Sequence, residues 1–139
     1  MSGRGESPRA LRLSEGEAPL RVELLICAAG DDVQLYIGGG ERSHIGGVAV
    51  SLPRESLDGS GRASCTTSVY NLLGHKDDGP AVMFAEAFCE KFACVAVASA
   101  GIHLDGARPE DVETFLRLSE RLLKRALAEW DAARRGGRD

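Results

Sequence analysis

The chain is poor in the features that nucleic-acid, membrane and disulfide-stapled proteins are built from. Its 139 residues include 17 Lys or Arg against 21 Asp or Glu, a formal net charge of -4. No basic footprint exists for a polyanion or an anionic membrane surface, and with aromatics at only 5% the composition adds nothing to offset that exclusion. No apolar run is long enough to span a bilayer. The first residues are polar and glycine-containing, unlike the apolar core of a signal peptide, so the expected location is cytoplasmic. Four cysteines, Cys27, Cys65, Cys89 and Cys94, form no CxxC pair and sit among apolar or strand-type residues, which suits reduced core thiols better than disulfides or a thiolate metal site.

Glycine is plentiful, and it is concentrated where it matters. The stretch Gly38-Gly39-Gly40-Glu41-Arg42-Ser43-His44-Ile45-Gly46-Gly47 lays backbone bare beside a histidine, then runs into Val48-Ala49-Val50. Only three histidines are present, and the other two have similar settings: Gly74-His75-Lys76-Asp77 and Gly101-Ile102-His103-Leu104-Asp105.

A chain of this length suits one domain with a real hydrophobic core. Residues 1–19 mix Gly, Ser, Pro, Arg and Glu without a sustained period and read as a flexible arm; residues 20–135 read as the single domain. Leu20 to Ala28 and Val33 to Ile37 read as a hairpin about Gly30-Asp31-Asp32, with Val33, Leu35 and Ile37 on the core face. His44 to Leu52 and Ala63 to Tyr70 are two further strands, and four strands in succession imply an antiparallel meander. A helix is expected from about Pro80 to Lys91. The apolar run Ala93 to Ala98 then reads as a central strand covered on both faces. The last helix starts near Pro109, with Glu110, Asp111 and Glu113 at its positive end and Arg134 and Arg135 at the other. Val112, Phe115, Leu116, Leu122, Leu123, Leu127 and Trp130 form its apolar stripe, whose end can face either the core or a second subunit. The expected fold is α+β: a mostly antiparallel sheet of five or six strands with two main helices.

All three histidines fall at element boundaries, and the carboxyl end of a central strand commonly opens onto a ligand crevice. Two chemistries follow from that placement. Three neutral imidazoles from His44, His75 and His103 could hold a catalytic metal, with Asp77 or Asp105 beside them, although neither HxH nor HExxH occurs. Alternatively, glycine amides with Arg42 and Lys76 could receive a phosphorylated heterocycle, the imidazoles bonding its ring heteroatoms. The glycine run is neither GxGxxG nor a P-loop, and no serine stands in GxSxG.

In their order and content, Gly38-Gly39 through His44-Ile45-Gly46, then Gly74-His75-Lys76-Asp77, then Gly101-Ile102-His103-Leu104-Asp105, the three motifs resemble the LpdD-like prenylated-flavin chaperones associated with UbiD-type decarboxylases. The resemblance spans roughly Leu20 to Leu127. Proline before the first histidine, alanine at Gly47 and a Ser or Thr cap at Arg108 are expected of that family and are absent. The resemblance implies a dimeric protein folded like the proteasome-assembly chaperones. It would be a non-catalytic carrier that binds reduced prenylated FMN as cargo and helps load an apo-decarboxylase. The implied contacts are Arg42, His44, Gly46, His75, Lys76, His103 and Asp105, with Lys76 or Arg42 at the phosphate.

Overall fold

The computed structural model describes residues 9–72 and 78–136. Six strands, β1 (Ala10–Glu17), β2 (Leu20–Ala29), β3 (Asp32–Gly40), β4 (Arg42–Glu55), β5 (Ala63–Asn71) and β6 (Ala96–His103), form one sheet with two helices, α1 (Asp78–Phe92) and α2 (Pro109–Arg135). The spatial order is β1-β2-β3-β6-β4-β5, and only β3 and β6 run parallel.

Alternation decides which face is covered. Leu13 pairs with Leu24, Leu24 with Ile37, and Ile37 with Ala100, and paired residues share a face. These side chains are buried together with Val22, Ile26, Val33, Leu35, Ala49, Ala96 and Ala98. Helix α1 lies over β3, β6, β4 and β5, and α2 lies over β1 and β2. Phe84 and Phe88 of α1 and Leu122 of α2 are fully enclosed between the layers. Among the described residues no helix covers the opposite face. On it Val97, Val48 and Val50 are half-buried, and Leu25, Leu52 and Tyr70 are exposed.

Several expectations need correction. The segment read as an arm through Pro19 contributes strand β1, because Leu13 joins the core and Glu15 is held by Arg125 of α2 at 2.9 Å. The meander breaks between β3 and β4, since β6 is inserted there. Strand β6 is central, but the helices cover only one of its faces. It begins at Ala96 because Ala93 takes a positive φ of 49° in the turn after α1. The stripe of α2 is rotated at its start: Val112 and Leu116 are exposed, while Phe115, Leu118, Ser119, Leu122, Ala126 and Trp130 are buried. Arg108 occupies the cap position without a hydroxyl, and there its backbone N–H donates to the Asp111 carboxylate at 3.0 Å.

The cysteines are free thiols, with Cys89 and Cys94 buried. Burial, then the neighbouring Cys65, pushes the Cys89 thiol up to about 12, so it is an inert core group.

Candidate functional site

The site grows from the way the chain steps over the end of β6. Gly40, the last residue of β3, pairs with His103 on one side, and Arg42, the first residue of β4, pairs with the same His103 on the other. Only Glu41 lies between them, and its N–H donates to the His103 carbonyl at 2.7 Å. Gly40 has φ 72°, and a Cβ there would collide with the His103 carbonyl oxygen. The glycine run therefore lets three residues clamp the tip of a central strand.

The register of β4 against β6 then slips between Ser43 and Gly47. The intervening bulge folds over Gly101, where a Cβ would strike the His44 carbonyl. Tyr36 of β3 donates from its hydroxyl to that same carbonyl at 2.8 Å. His44 and His103 come together as a result, with ring centroids 6.2 Å apart and planes at 79°. The Gly46 carbonyl accepts from the Leu72 N–H at 3.0 Å.

Electrostatics is concentrated on the far side of His103. Its Nε2 lies 2.7 Å from Asp105 Oδ1, and Arg42 stands 3.8 Å from the same oxygen. The hydrogen bond from His103, then its charge, and more weakly the Arg42 guanidinium hold the Asp105 carboxyl below its ordinary value. An ionised carboxylate only accepts, so a His103 proton sits on Nε2 and faces Asp105. The Arg42 and Asp105 side chains are about 70% exposed, so their ion pair holds little energy and Arg42 can turn to another anion.

A groove of about 460 Å³ opens here, lined by Arg42, Ser43, His44, Ile45 and His103. This volume lies within the usual range of small-molecule sites, roughly 300–1,000 Å³. The donor set, one guanidinium and two imidazoles beside exposed Ile45, matches an anion attached to a planar heterocycle.

Of the residues singled out from the sequence, Arg42, His44, His103 and Asp105 converge, and Gly46 lies within the bulge that carries His44. His75 and Lys76 lie outside the described residues. Gly38, expected to leave its backbone open to a ligand, is instead covered by Ser43 and Tyr36, and Gly101 is covered by the His44 bulge. Tyr36, Ser43 and Ile45 were missed. The available signal was Tyr36 itself, a large side chain on the polar face of its strand, two residues before the glycine run. Among the described residues no group of three or more His, Cys, Asp or Glu is placed to hold a metal ion, and the proposed histidine trio needs His75. Nor is any helix among them long and apolar enough to cross a membrane.

Comparisons with known proteins agree with this architecture. A solved structure described as a novel chaperone complex for yeast 20S proteasome assembly superposes with a TM-score of 0.58 at 15% identity, covering 91% of this chain and 98% of that one. At that identity the likeness concerns the fold alone. A search of curated proteins gives no match. The family profile described as the prenylated flavin chaperone LpdD-like domain matches residues 16–131, which include the β6 clamp, the bulge and both histidines of the groove. The chain therefore belongs to the LpdD-like prenylated flavin chaperones, a chaperone family and not an enzyme family.

Proposed function

We propose that this chain is a non-catalytic cytoplasmic carrier that binds reduced prenylated FMN in the groove and delivers it to a UbiD-type decarboxylase. The observation that carries the reading is the meeting of His44 and His103, distant in sequence, beside Arg42 and Asp105. In this reading the imidazoles contact the polar edge of the isoalloxazine, and Gly46 permits close approach of the backbone. Asp105 orients His103, Arg42 or Lys76 meets the phosphate, and His75 completes the contact set. A carrier must shield its cargo and also release it, and the exposed Arg42 guanidinium serves both requirements better than a sealed pocket does.

Anaerobic titration of the native chain with reduced prenylated FMN tests the proposal. Binding at micromolar ligand is expected, together with transfer when apo-decarboxylase is added. Arg42→Ala should weaken binding about tenfold for the phosphorylated cofactor and less than twofold for its dephosphorylated form. No spectral change at tens of micromolar ligand would reject the carrier. Stoichiometric zinc or iron in the purified chain, lost in His103→Ala, would favour the metal-dependent enzyme instead.

We also propose a homodimer joined through the face that carries no helix. The centre of that face, formed by Gln34, Tyr36, Val97, Ser99, Val48, Val50 and Leu52, bears no charge. Six strands about 4.8 Å apart and about seven residues long present roughly 650 Å². Two such faces bury roughly 1,300 Å², within the range of stable interfaces, and they need no partner of different shape. Sedimentation should give twice the chain mass at tens of micromolar protein; a monomer at that concentration would reject the homodimer.

A further inference from the structure

We infer that the Tyr36 hydroxyl is the positioning group of the groove: it holds the His44 bulge down on β6 and thereby sets the spacing of the two imidazoles that receive the ligand. The inference rests on the reading of this groove as the cofactor site, and it assigns a role to a residue outside the set of ligand contacts.

Three observations meet at one carbonyl. The register of β4 against β6 shifts between Ser43 and Gly47, and the His44 carbonyl lies within that bulge. Tyr36, one strand further away on β3, reaches across Gly38 and Gly101 to donate to that oxygen at 2.8 Å. Both glycines are needed for the reach, because a Cβ on Gly38 would meet the Tyr36 ring and one on Gly101 would meet the His44 carbonyl. The arrangement is a peg from β3 passing over two residues without side chains to fasten a loop of β4.

The consequence for His44 is geometric. A bulge is a locally flexible departure from the ladder, and its side chain points wherever the backbone is held. With the carbonyl fixed, the imidazole stands edge-on to His103. His103 is independently rigid, clamped by Gly40, Glu41 and Arg42 and oriented by Asp105. Tyr36 thus fixes the backbone that carries the second member of the pair, and rigid placement of polar groups before the ligand arrives reduces the ordering cost of binding.

Tyr36→Phe removes the hydroxyl and keeps the ring that packs over Gly38. Crystal structures of the native and variant chains, with anaerobic titration of each, give two readouts. The expected result is an increase of more than 1 Å in the His44–His103 ring separation, with strands and helices unmoved, and a five- to tenfold weaker affinity for reduced prenylated FMN, the size expected for loss of one neutral hydrogen bond. An unchanged ring separation overturns the inference, and so does an opened pair with undiminished affinity. If the native chain binds no prenylated FMN but the pair still opens in the variant, the carrier reading fails while the positioning role of Tyr36 stands.

Discussion

Truncation of Phe88 to alanine should cost about 3–5 kcal/mol, among the largest stability losses expected from a single side chain here. Phe88 is fully buried on α1, stacks at 5.6 Å on Phe92, and accepts on its carbonyl from the Cys94 thiol. Helix α1 packs over β4 and β6, whose buried residues include Ala49, Ala96, Ala98 and Ala100, all already small. They cannot expand to fill the space, so most of the removed volume persists as a cavity. Tyr70 provides the contrast, being comparably large but 69% exposed on the face without helices. Tyr70→Ser should change the stability of the monomer by less than about 0.5 kcal/mol. Urea unfolding of the two variants, at a dilution where sedimentation shows a monomer, separates them: with a slope of about 1–3 kcal/mol per molar, the midpoint should fall by one molar or more for Phe88→Ala and hardly move for Tyr70→Ser. Equal shifts would mean that the core is not where the helices cover the sheet.

What the sequence discloses and what it hides divide along physical lines. Val33, Leu35 and Ile37 are legible as a core face because a strand has period two and one face is covered by helices. The start of α2 is not legible in the same way. Val112 and Leu116 satisfy helical spacing as well as Phe115 does, and only the position of β1 and β2 beneath the helix decides which stripe is buried. Strand β1 escapes notice because its single buried side chain, Leu13, is too little for a pattern; its ladder with β2 and the pairing of Glu15 with Arg121 and Arg125 of the last helix hold it in the fold. The insertion of β6 is invisible for a related reason. Consecutive strands usually pair, and nothing in one-residue spacing between β3 and β4 announces that Glu41 is crossing the tip of a later strand.

The groove follows the same division. His44 and His103 stood out because histidines at strand ends beside glycine are chemically unusual, and the structure puts them together. Tyr36 is not legible as a site residue, since its hydrogen bond to His44 exists only once β6 has entered the sheet beneath the bulge. In the sequence Gly101 is notable only as a neighbour of His103. Its role is instead to make room for another part of the same chain.

That role gives Gly101→Ala an effect out of proportion to one methyl group. The new Cβ would lie inside the van der Waals radius of the His44 carbonyl oxygen, and a backbone atom cannot rotate away as a side chain can. Gly101 is paired with Gly38 across β3, so β6 cannot slide aside without breaking the parallel ladder. The bulge must lift, the Tyr36 hydrogen bond must break, and His44 must leave His103. Overpacking of this kind costs roughly 1–3 kcal/mol, and the lost hydrogen bond adds about 1. We expect a melting temperature lower by several degrees and at least a thirtyfold loss of affinity for reduced prenylated FMN, since peg and imidazole pair fail together. Gly30→Ala is the control. Its φ is 64° and its Cβ would meet nothing, so it should lose about 1 kcal/mol of stability from backbone strain and none of the affinity. Thermal melts and anaerobic titrations of the two variants make the comparison. If Gly101→Ala bound the cofactor as tightly as the native chain, the placement of His44 by the bulge would have no part in recognition.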